Sequence, residues 1–247
     1  MALPELILVD KPKGMSSFTV VRILRRRTGI RKFGYAGTLD PLATGLMLVG
    51  VEKGTKRLSS LIGLDKEYVA EILLGEQRST GDEEGVILAE RAYTGDCSAE
   101  RLRETLDSLI GEHELPVSAY SAIKVEGVRM YKRARKAEKK GEVITDLPIR
   151  RMVVYEAELL KVGDVTTSPA RLPVTVRFRV SSGTYIRSLA EEFGRRLGYP
   201  ARLSALRRTK IGSYSITEAS QLEDFGGGVR TSLGRLLSRL CRLFELN

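Results

Sequence analysis

The spacing of apolar and polar positions predicts a chain that contains both strands and helices. Short apolar runs and alternating segments indicate buried strands, whereas apolar residues spaced by three and four indicate amphipathic helices. The predicted strands are 6–9, 46–51, 66–74 and 174–180, and the predicted helices are 17–29, 99–110 and 188–197. These elements follow one another without a regular βαβ rhythm, so the pattern favours an α+β fold over a doubly wound α/β fold.

The helix predicted at 99–110 carries its apolar residues on one face. Helical side chains three or four positions apart lie next to each other on the helix surface. We therefore expect four side chains of this segment to face the core, namely Leu102, Leu106, Leu109 and Ile110.

One loop combines a carboxylate with residues that restrict the backbone. The segment 34–45, GYAGTLDPLATG, contains Asp40 and directly precedes the apolar run 46–51. Glycine permits tight turns and the close approach of a ligand, and Pro41 fixes its own φ and disfavours helix at Asp40. A carboxylate on such a loop is a candidate nucleophile or base. For the Asp-Pro dipeptide alone, an ordinary turn is the alternative explanation.

Composition narrows the classes of partner. The chain has 247 residues, a formal net charge of +10 and a pI of about 9.7, which suits a nucleic acid or an anionic membrane surface. No apolar run approaches the ~18 residues of a membrane span, and the N-terminus lacks the pattern of a signal peptide. Cys97, Cys241 and the single histidine, His113, form no metal-binding pattern. We expect no membrane partner and a reducing cytoplasm.

The segment GTLDPLATG resembles the catalytic-aspartate motif of the TruB family of tRNA pseudouridine synthases. Four further segments match the family in the same order: 10–17 (DKPKGMSS), 120–124 (YSAIK), 183–187 (GTYIR) and 203–209 (LSALRRT). The resemblance covers roughly residues 5–224. It implies the pseudouridine synthase fold, a mixed and mostly antiparallel sheet flanked by helices, with a thumb-like insertion at about 120–150.

The resemblance also implies the chemistry. Conversion of uridine to pseudouridine breaks a C–N glycosidic bond and forms a C–C bond to the same ribose, so we expect no cofactor and no metal. The resemblance assigns Asp40 as the nucleophile, Arg187 as the cation that keeps it ionised, and Tyr68 as the ring that stacks on the flipped uracil and helps to remove its C5 proton. Whether Asp40 attacks C1′, attacks C6 or abstracts the 2′ proton stays open.

Further pocket residues follow from the same resemblance. It places Lys11, Tyr185 and Leu206 in the substrate pocket, although Lys11 alone would be an ordinary surface lysine and Leu206 alone an ordinary core residue. Tyr35 departs from the family, which commonly has GHTGTLDP where this chain has GYAGTLDP. The family histidine helps to fill the gap left by the flipped base. The flat ring of Tyr35 can also stack, but it cannot replace the protonation of an imidazole.

Seven of the twelve residues from 129 to 140 are basic. A solvated helix face is one explanation of such a run. In the family, however, this region belongs to the thumb-like insertion, which grips the RNA. We therefore predict that Lys132, Arg133 and Lys136 contact substrate phosphates. The implied substrate is the uridine at position 55 in the T loop of tRNA, bound through the T-arm stem-loop by a monomer that needs no obligatory protein partner.

The C-terminal region departs from most bacterial members, which continue into a small PUA domain. Gly226, Gly227 and Gly228 predict a flexible joint, and nineteen residues follow it, too few for that domain. We expect a catalytic domain over 1–224, and over 225–247 the joint and a helix whose apolar face docks on the body.

Two other functions compete with this interpretation. A non-catalytic tRNA-folding chaperone would keep the grip on RNA without the chemistry, and the intact Asp40, Tyr68 and Arg187 argue against it. A guide-RNA-dependent synthase subunit of the dyskerin branch fits poorly, because those proteins use an attached PUA domain to hold the guide.

Overall fold

A computed structural model describes residues 3–226, apart from Ala122, Gly141, Val143, Thr145 and the side chain of Glu138. The described chain separates into two compact units. Unit 1 consists of the residues up to 62 together with those from 214 onward, and unit 2 consists of residues 63–213. Of the joint predicted at Gly226, Gly227 and Gly228, the structure describes Gly226 alone, and the rest of the joint and the predicted terminal helix lie outside the described residues.

The described residues form strands and helices of widely different length. The strands are β1 (Leu6–Lys11), β2 (Phe33–Ala36), β3 (Thr44–Val51), β4 (Lys66–Leu74), β5 (Glu76–Arg78), β6 (Ile87–Glu90), β7 (Gly111–Pro116), β8 (Lys124–Val125), β9 (Val128–Arg129), β10 (Ile149–Val162), β11 (Thr166–Thr167), β12 (Ala170–Val180), β13 (Ala201–Ile211), β14 (Tyr214–Ser215) and β15 (Ser220–Gln221). The α-helices are α1 (Ser17–Thr28), α2 (Leu58–Ile62), α3 (Ala99–Asp107), α4 (Met130–Glu138) and α5 (Ile186–Leu197). Short 3-10 helices occupy Glu52–Arg57, Ile216–Glu218 and Leu222–Asp224.

Unit 1 is built on a small mixed sheet. β3 pairs antiparallel with both β1 and β2, and β15 adds to β1 in parallel. Helix α1 starts where the Ser16 side chain accepts a hydrogen bond from the Thr19 amide, and it ends at Gly29, whose φ of 74° is the left-handed conformation that glycine favours. Its buried apolar side chains are Val20, Val21 and Leu24.

Unit 2 is built on an antiparallel sheet with the strand order β13–β4–β12–β10–β7. Every second residue of β4 is buried, because alternate side chains of a strand point to the same face. Helices α3 and α5 pack against this sheet and against each other. The predicted α+β class, with mixed and mostly antiparallel sheet structure flanked by helices, is confirmed.

The end of α3 corrects one prediction. The helix stops at Asp107, and Ser108 is its C-cap. Leu102, Leu106 and Leu109 are buried as expected, but Ile110 is 46% exposed. Ile110 follows the last helical turn, so helical spacing no longer decides which way its side chain points.

The segment predicted as a thumb-like insertion forms the hairpin β8–β9 and helix α4. Its side chains have a small core of their own, made by Ala119, Met130 and Ala134 with Tyr120, Val125, Ile144 and Leu147 packed around them. In the described part of the chain, no helix combines the length and apolar character that crossing a membrane requires.

Candidate active site

The loop between β2 and β3 holds Asp40 in a half-buried position. The amide of Leu39, immediately before it, donates to Ser17 Oγ at 2.8 Å, and the carbonyl of Pro41, immediately after it, accepts from the Gly14 amide at 2.8 Å. The backbone is therefore fixed on both sides of the carboxylate. Ser17 and Gly14 both belong to the motif 10–17, so the fold brings the first and second motifs of the chain together.

Lys11 supports the same loop. Its side chain is fully buried, and Nζ donates to the carbonyls of Met15 at 2.8 Å, Pro12 at 2.9 Å and Pro41 at 3.4 Å. A buried ammonium group is costly unless its donors are paired. Lys11 is therefore no surface lysine. Its contacts with the carbonyl of Pro41 support a role in positioning the Asp40 loop, and the predicted place of Lys11 in the substrate pocket stays a prediction.

Tyr35 also belongs to unit 1. It lies on β2 opposite Val49 of β3 and is half-buried. Its distance from Asp40 along the chain is short, because the loop that holds Asp40 begins at the end of the same strand. The proposed stacking role of Tyr35 stays a prediction.

Unit 2 places Tyr68 on the buried face of β4. Phe178 of β12 and Arg208 of β13 lie directly opposite it on the two neighbouring strands, and directly opposed residues of antiparallel strands share a face. Leu206 is two residues before Arg208 and opposite Ala70, so it follows on the same face. The sheet thus brings the predicted residues Tyr68 and Leu206 together.

The surroundings of Tyr68 are more cationic than the sequence indicated. Arg208 is only 1% exposed and Lys66, two residues before Tyr68, is 7% exposed. The Lys66 ammonium donates to Ser182 Oγ at 3.0 Å. Burial and the nearby charge of Arg208 lower the pKa of Lys66 to about 8, although Asp65 opposes this shift. Both cations were missed, because a basic residue in a strand is usually exposed.

Arg187 lies in the first turn of α5, and its side chain is almost completely buried. Nη1 donates to the carbonyl of Thr80 at 2.6 Å and to Ser118 Oγ at 3.2 Å, and Nη2 donates to the carbonyl of Tyr120 at 3.4 Å. The Asp82 carboxylate lies 3.9 Å from Nη1. We call Thr80, Ser118 and Tyr120 the Arg187 cradle. Sequence reasoning missed Thr80 and Ser118, and it included Tyr120 only as the first residue of the matched segment 120–124, since all three lie far from Arg187 along the chain.

Two further residues of interest, Tyr185 and Glu191, lie near Arg187 along the chain. Tyr185 is the half-buried N-cap residue of α5. Glu191 follows Arg187 by four residues, which places both on one face of the helix. Burial raises the pKa of Glu191 to about 7, against the opposing effects of the Arg187 charge and a hydrogen bond with Gln77. Glu191 also lines a cavity of about 850 Å³ in unit 2.

The three basic residues predicted to contact RNA lie on α4 and line one concave surface. Lys132, Arg133 and Lys136 surround a cavity of about 530 Å³, together with Lys140 and Glu142 among others. Arg133 is also 3.6 Å from Glu126, and both side chains are exposed. Such an exposed pair contributes about 0–1 kcal/mol, so it leaves the surface available to a polyanion.

Solved structures share this fold. The chain described as "Structure of H/ACA RNP bound to a substrate RNA containing 2'-deoxyuridine" has a TM-score of 0.62 and 27% identity over 89% of this chain. The chain described as "Crystal Structure of a Cbf5-Nop10-Gar1 Complex" has a TM-score of 0.64 and 28% identity over the same share. This chain spans 51% and 52% of their respective lengths.

Sequence comparison defines the class more narrowly. Residues 25–186 match the family described as TruB family pseudouridylate synthase (N terminal domain). A relative from Leifsonia xyli subsp. xyli, named tRNA pseudouridine synthase B, is 44% identical over 88% of this chain and 70% of its own length. A relative of the same name from Corynebacterium efficiens is 41% identical over 92% of this chain and 74% of its own.

The fold and these matches define the protein as a pseudouridine synthase, which is an isomerase. It belongs to the TruB family. The predicted family and enzyme class are thereby confirmed.

Proposed function

We propose that this protein isomerises uridine to pseudouridine at position 55 in the T loop of tRNA. The observation that carries the proposal is the 44% identity, over 88% of this chain, to a protein named tRNA pseudouridine synthase B. Two properties of the chain support it. Asp40 lies on a loop with a fixed backbone, and the formal charge of +10 suits a polyanionic substrate.

The proposed reaction conserves all atoms of the nucleotide. The bond between C1′ and N1 breaks, and its electron pair leaves with the uracil. After the base rotates, C5 bonds to C1′, the proton on C5 leaves, and N1 gains a proton. Asp40 provides the carboxylate, by attack on C1′, attack on C6 or removal of the 2′ proton. The resemblance assigns Arg187 as the cation that keeps this carboxylate ionised, and it assigns Tyr68 to stack on the flipped base and to assist loss of the C5 proton.

The remaining residues bind and position the substrate in this proposal. Tyr35, Tyr185 and Leu206 are the residues that the resemblance assigns to bind the flipped base. Unstacking that base costs on the order of a few kcal/mol. Aromatic stacking returns about 1–3 kcal/mol per base. The surface formed by Lys132, Arg133 and Lys136 holds the phosphates of the T arm, and Lys11 supports the Asp40 loop.

The test is incubation of the purified chain with an unmodified tRNA transcript, followed by mapping of pseudouridine at single-nucleotide resolution. We expect product at position 55 with no other RNA added. Product at a different position would contradict the assignment of the substrate site. A subunit of an H/ACA ribonucleoprotein would form product only after further components are supplied, and a chaperone would form none while still accelerating tRNA folding.

A further inference from the structure

The hydroxyl of Ser118 lies where three segments of unit 2 meet. It donates to the carbonyl of Thr80 at 3.1 Å, and it accepts from Arg187 Nη1 at 3.2 Å and from the Tyr120 amide at 3.3 Å. A serine hydroxyl has one donor and two acceptor sites. All three are therefore in use, and each serves a different segment.

Arg187 closes this network. Its guanidinium also donates directly to the carbonyls of Thr80 and Tyr120. Ser118 and Arg187 therefore both bond to Thr80 and Tyr120, although at Tyr120 Ser118 bonds to the amide and Arg187 to the carbonyl. The side chain of Arg187 is 6% exposed, and hydrogen bonds from a charged donor are stronger than neutral ones, the more so away from water. Removing the Ser118 hydroxyl would therefore release one donor of Arg187 as well as the amide of Tyr120.

Ser118 also lies at the base of the thumb-like insertion. The Val117 amide donates to the carbonyl of Pro148 at 2.9 Å, which joins the two ends of the insertion. The Ser121 amide donates to the carbonyl of Ser118 at 3.1 Å, and the Tyr131 amide donates to the carbonyl of Ser121 at 3.0 Å. Tyr131 is in the first turn of α4. Two backbone hydrogen bonds thus connect Ser118 to the helix that carries the basic surface.

We propose that Ser118 is a positioning residue that couples the grip of the thumb-like insertion on RNA to the orientation of Arg187. This inference rests on the proposed function. Phosphates bound by Lys132 and Lys136 hold α4, the hydrogen bonds from Tyr131 and Ser121 hold the base of the insertion, and Ser118 then keeps Nη1 of Arg187 directed as catalysis requires. The coupling forms no covalent bond and transfers no proton.

The first test compares three variants in single-turnover kinetics with tRNA. Ser118→Ala removes the hydroxyl, and Ser118→Thr keeps it. Ser121→Ala is the matched control, since the buried Ser121 hydroxyl has no hydrogen-bond partner within the described residues. We expect Ser118→Ala to lower kcat about tenfold, the effect of losing one hydrogen bond to a charged group, with little change in Kd for tRNA. Ser118→Thr should restore most of the rate. Equal rates for Ser118→Ala and Ser121→Ala would overturn the proposal.

The second test combines Ser118→Ala with the triple change of Lys132, Arg133 and Lys136 to alanine. If the two sites are coupled, the triple change lowers kcat at saturating tRNA in the wild-type background and lowers it little further in the Ser118→Ala background. Effects that multiply would show that the two sites act independently, and the coupling would then be rejected.

A third measurement separates this inference from the proposed function, because it needs no turnover. Binding of tRNA should slow hydrogen exchange at the amides of Tyr120 and Ser121 in the wild-type chain, and slow it less in Ser118→Ala. Equal slowing in both proteins would contradict the coupling even if pseudouridine forms at position 55. Coupled exchange without product at that position would contradict only the proposed function.

Discussion

Asp40 is positioned through the backbone of its loop, whereas Arg187 is positioned through hydrogen bonds of its side chain. Around Asp40 the backbone is fixed, through hydrogen bonds at Leu39 and Pro41, while the residue itself is half-buried. Around Arg187 the side chain is fixed, through three acceptors that lie 67 to 107 positions away along the chain. The difference suggests that changes near Asp40 act through the placement of the loop, and that changes near Arg187 act through the direction of its charge.

The largest expected effect on turnover comes from Asp40 itself. Asp40→Asn keeps the shape of the side chain and removes the nucleophilic charge. We expect kcat to fall by at least about 10³-fold, with Kd for tRNA within about twofold of wild type, because the loop backbone is held by bonds that do not involve the carboxylate. Single-turnover rates and filter binding measure the two quantities. Turnover near the wild-type rate would reject Asp40 as the nucleophile.

Arg187→Lys is expected to have the next largest effect, and it separates charge from geometry. Lysine keeps the positive charge but cannot present the two-pronged donor that reaches Thr80, Ser118 and Tyr120 together. We expect kcat to fall about 100-fold, as for the loss of one to two hydrogen bonds from a charged donor, together with a lower Tm. If Arg187→Lys kept the wild-type kcat, only charge would matter at this position.

Lys11→Met tests whether the Asp40 loop depends on its support. The change removes the donor of three carbonyls in a fully buried site, and we expect a loss of about 2 kcal/mol in the free energy of unfolding and about a tenfold lower kcat. Lys56→Met, at an exposed position of the same unit, is the control and should change neither. If Lys11→Met changed only KM, direct substrate contact would be the better explanation.

The basic surface of α4 should contribute to the affinity for RNA in addition to its proposed coupling to turnover. Each phosphate contact contributes about −0.7 to −0.9 to the slope of log K against log salt. Replacing Lys132, Arg133 and Lys136 by alanine should therefore flatten this slope by about 2 and weaken binding to many RNAs alike. Binding titrations at several salt concentrations measure the slope. An unchanged slope would mean that these side chains form an ordinary solvated face.

The smallest effect on turnover is expected at Glu191, where the readout is stability. Its pKa is raised to about 7 in the folded state by burial, from an ordinary value of 4.5, so the folded protein binds this proton more tightly than the unfolded chain. The contribution to stability is therefore largest below pH 4.5 and declines as the pH rises to 7. Glu191→Gln should raise Tm relative to wild type at pH 8 and change it little at pH 4.5.

The neighbouring Glu192 provides the opposite control. Hydrogen bonds from Arg195 and Arg196 lower its pKa to about 2, although burial opposes them. Its contribution to stability is therefore present above pH 4.5 and declines as the pH falls toward 2. Glu192→Gln should lower Tm at pH 8, where Glu191→Gln raises it. Thermal melts of both variants between pH 2 and pH 8 measure these changes in Tm. If both variants changed Tm in the same direction at pH 8, the different environments assigned to Glu191 and Glu192 would be wrong.

Much of the local structure was predictable from the sequence. Strand β4 has the predicted bounds, Lys66–Leu74, and α5 begins two residues before the predicted start and ends at the predicted Leu197. Both predictions are correct because strand alternation and helical spacing can be read from a short stretch of sequence. The end of α5 is predictable as well, since Gly198 adopts the left-handed conformation that glycine favours. The loop of Asp40 was recognisable for the same reason, since its proline, glycines and carboxylate are contiguous.

Only the tertiary structure decided which polar side chains are buried and what they contact. Lys11 has the same local signature as an exposed lysine, but in the folded chain it is buried and its ammonium donates to the carbonyls of Pro12, Met15 and Pro41. Which of the two neighbouring residues Arg207 and Arg208 is buried depends on the pairing of β13 with β4. This pairing places Arg208 opposite Tyr68 and shifts register just after Arg208. Ser118 meets Arg187 across 69 positions. The spacing of apolar residues predicts which face of a single helix or strand is buried. The contacts of Lys11, Arg208 and Ser118 depend instead on how separate elements pack together.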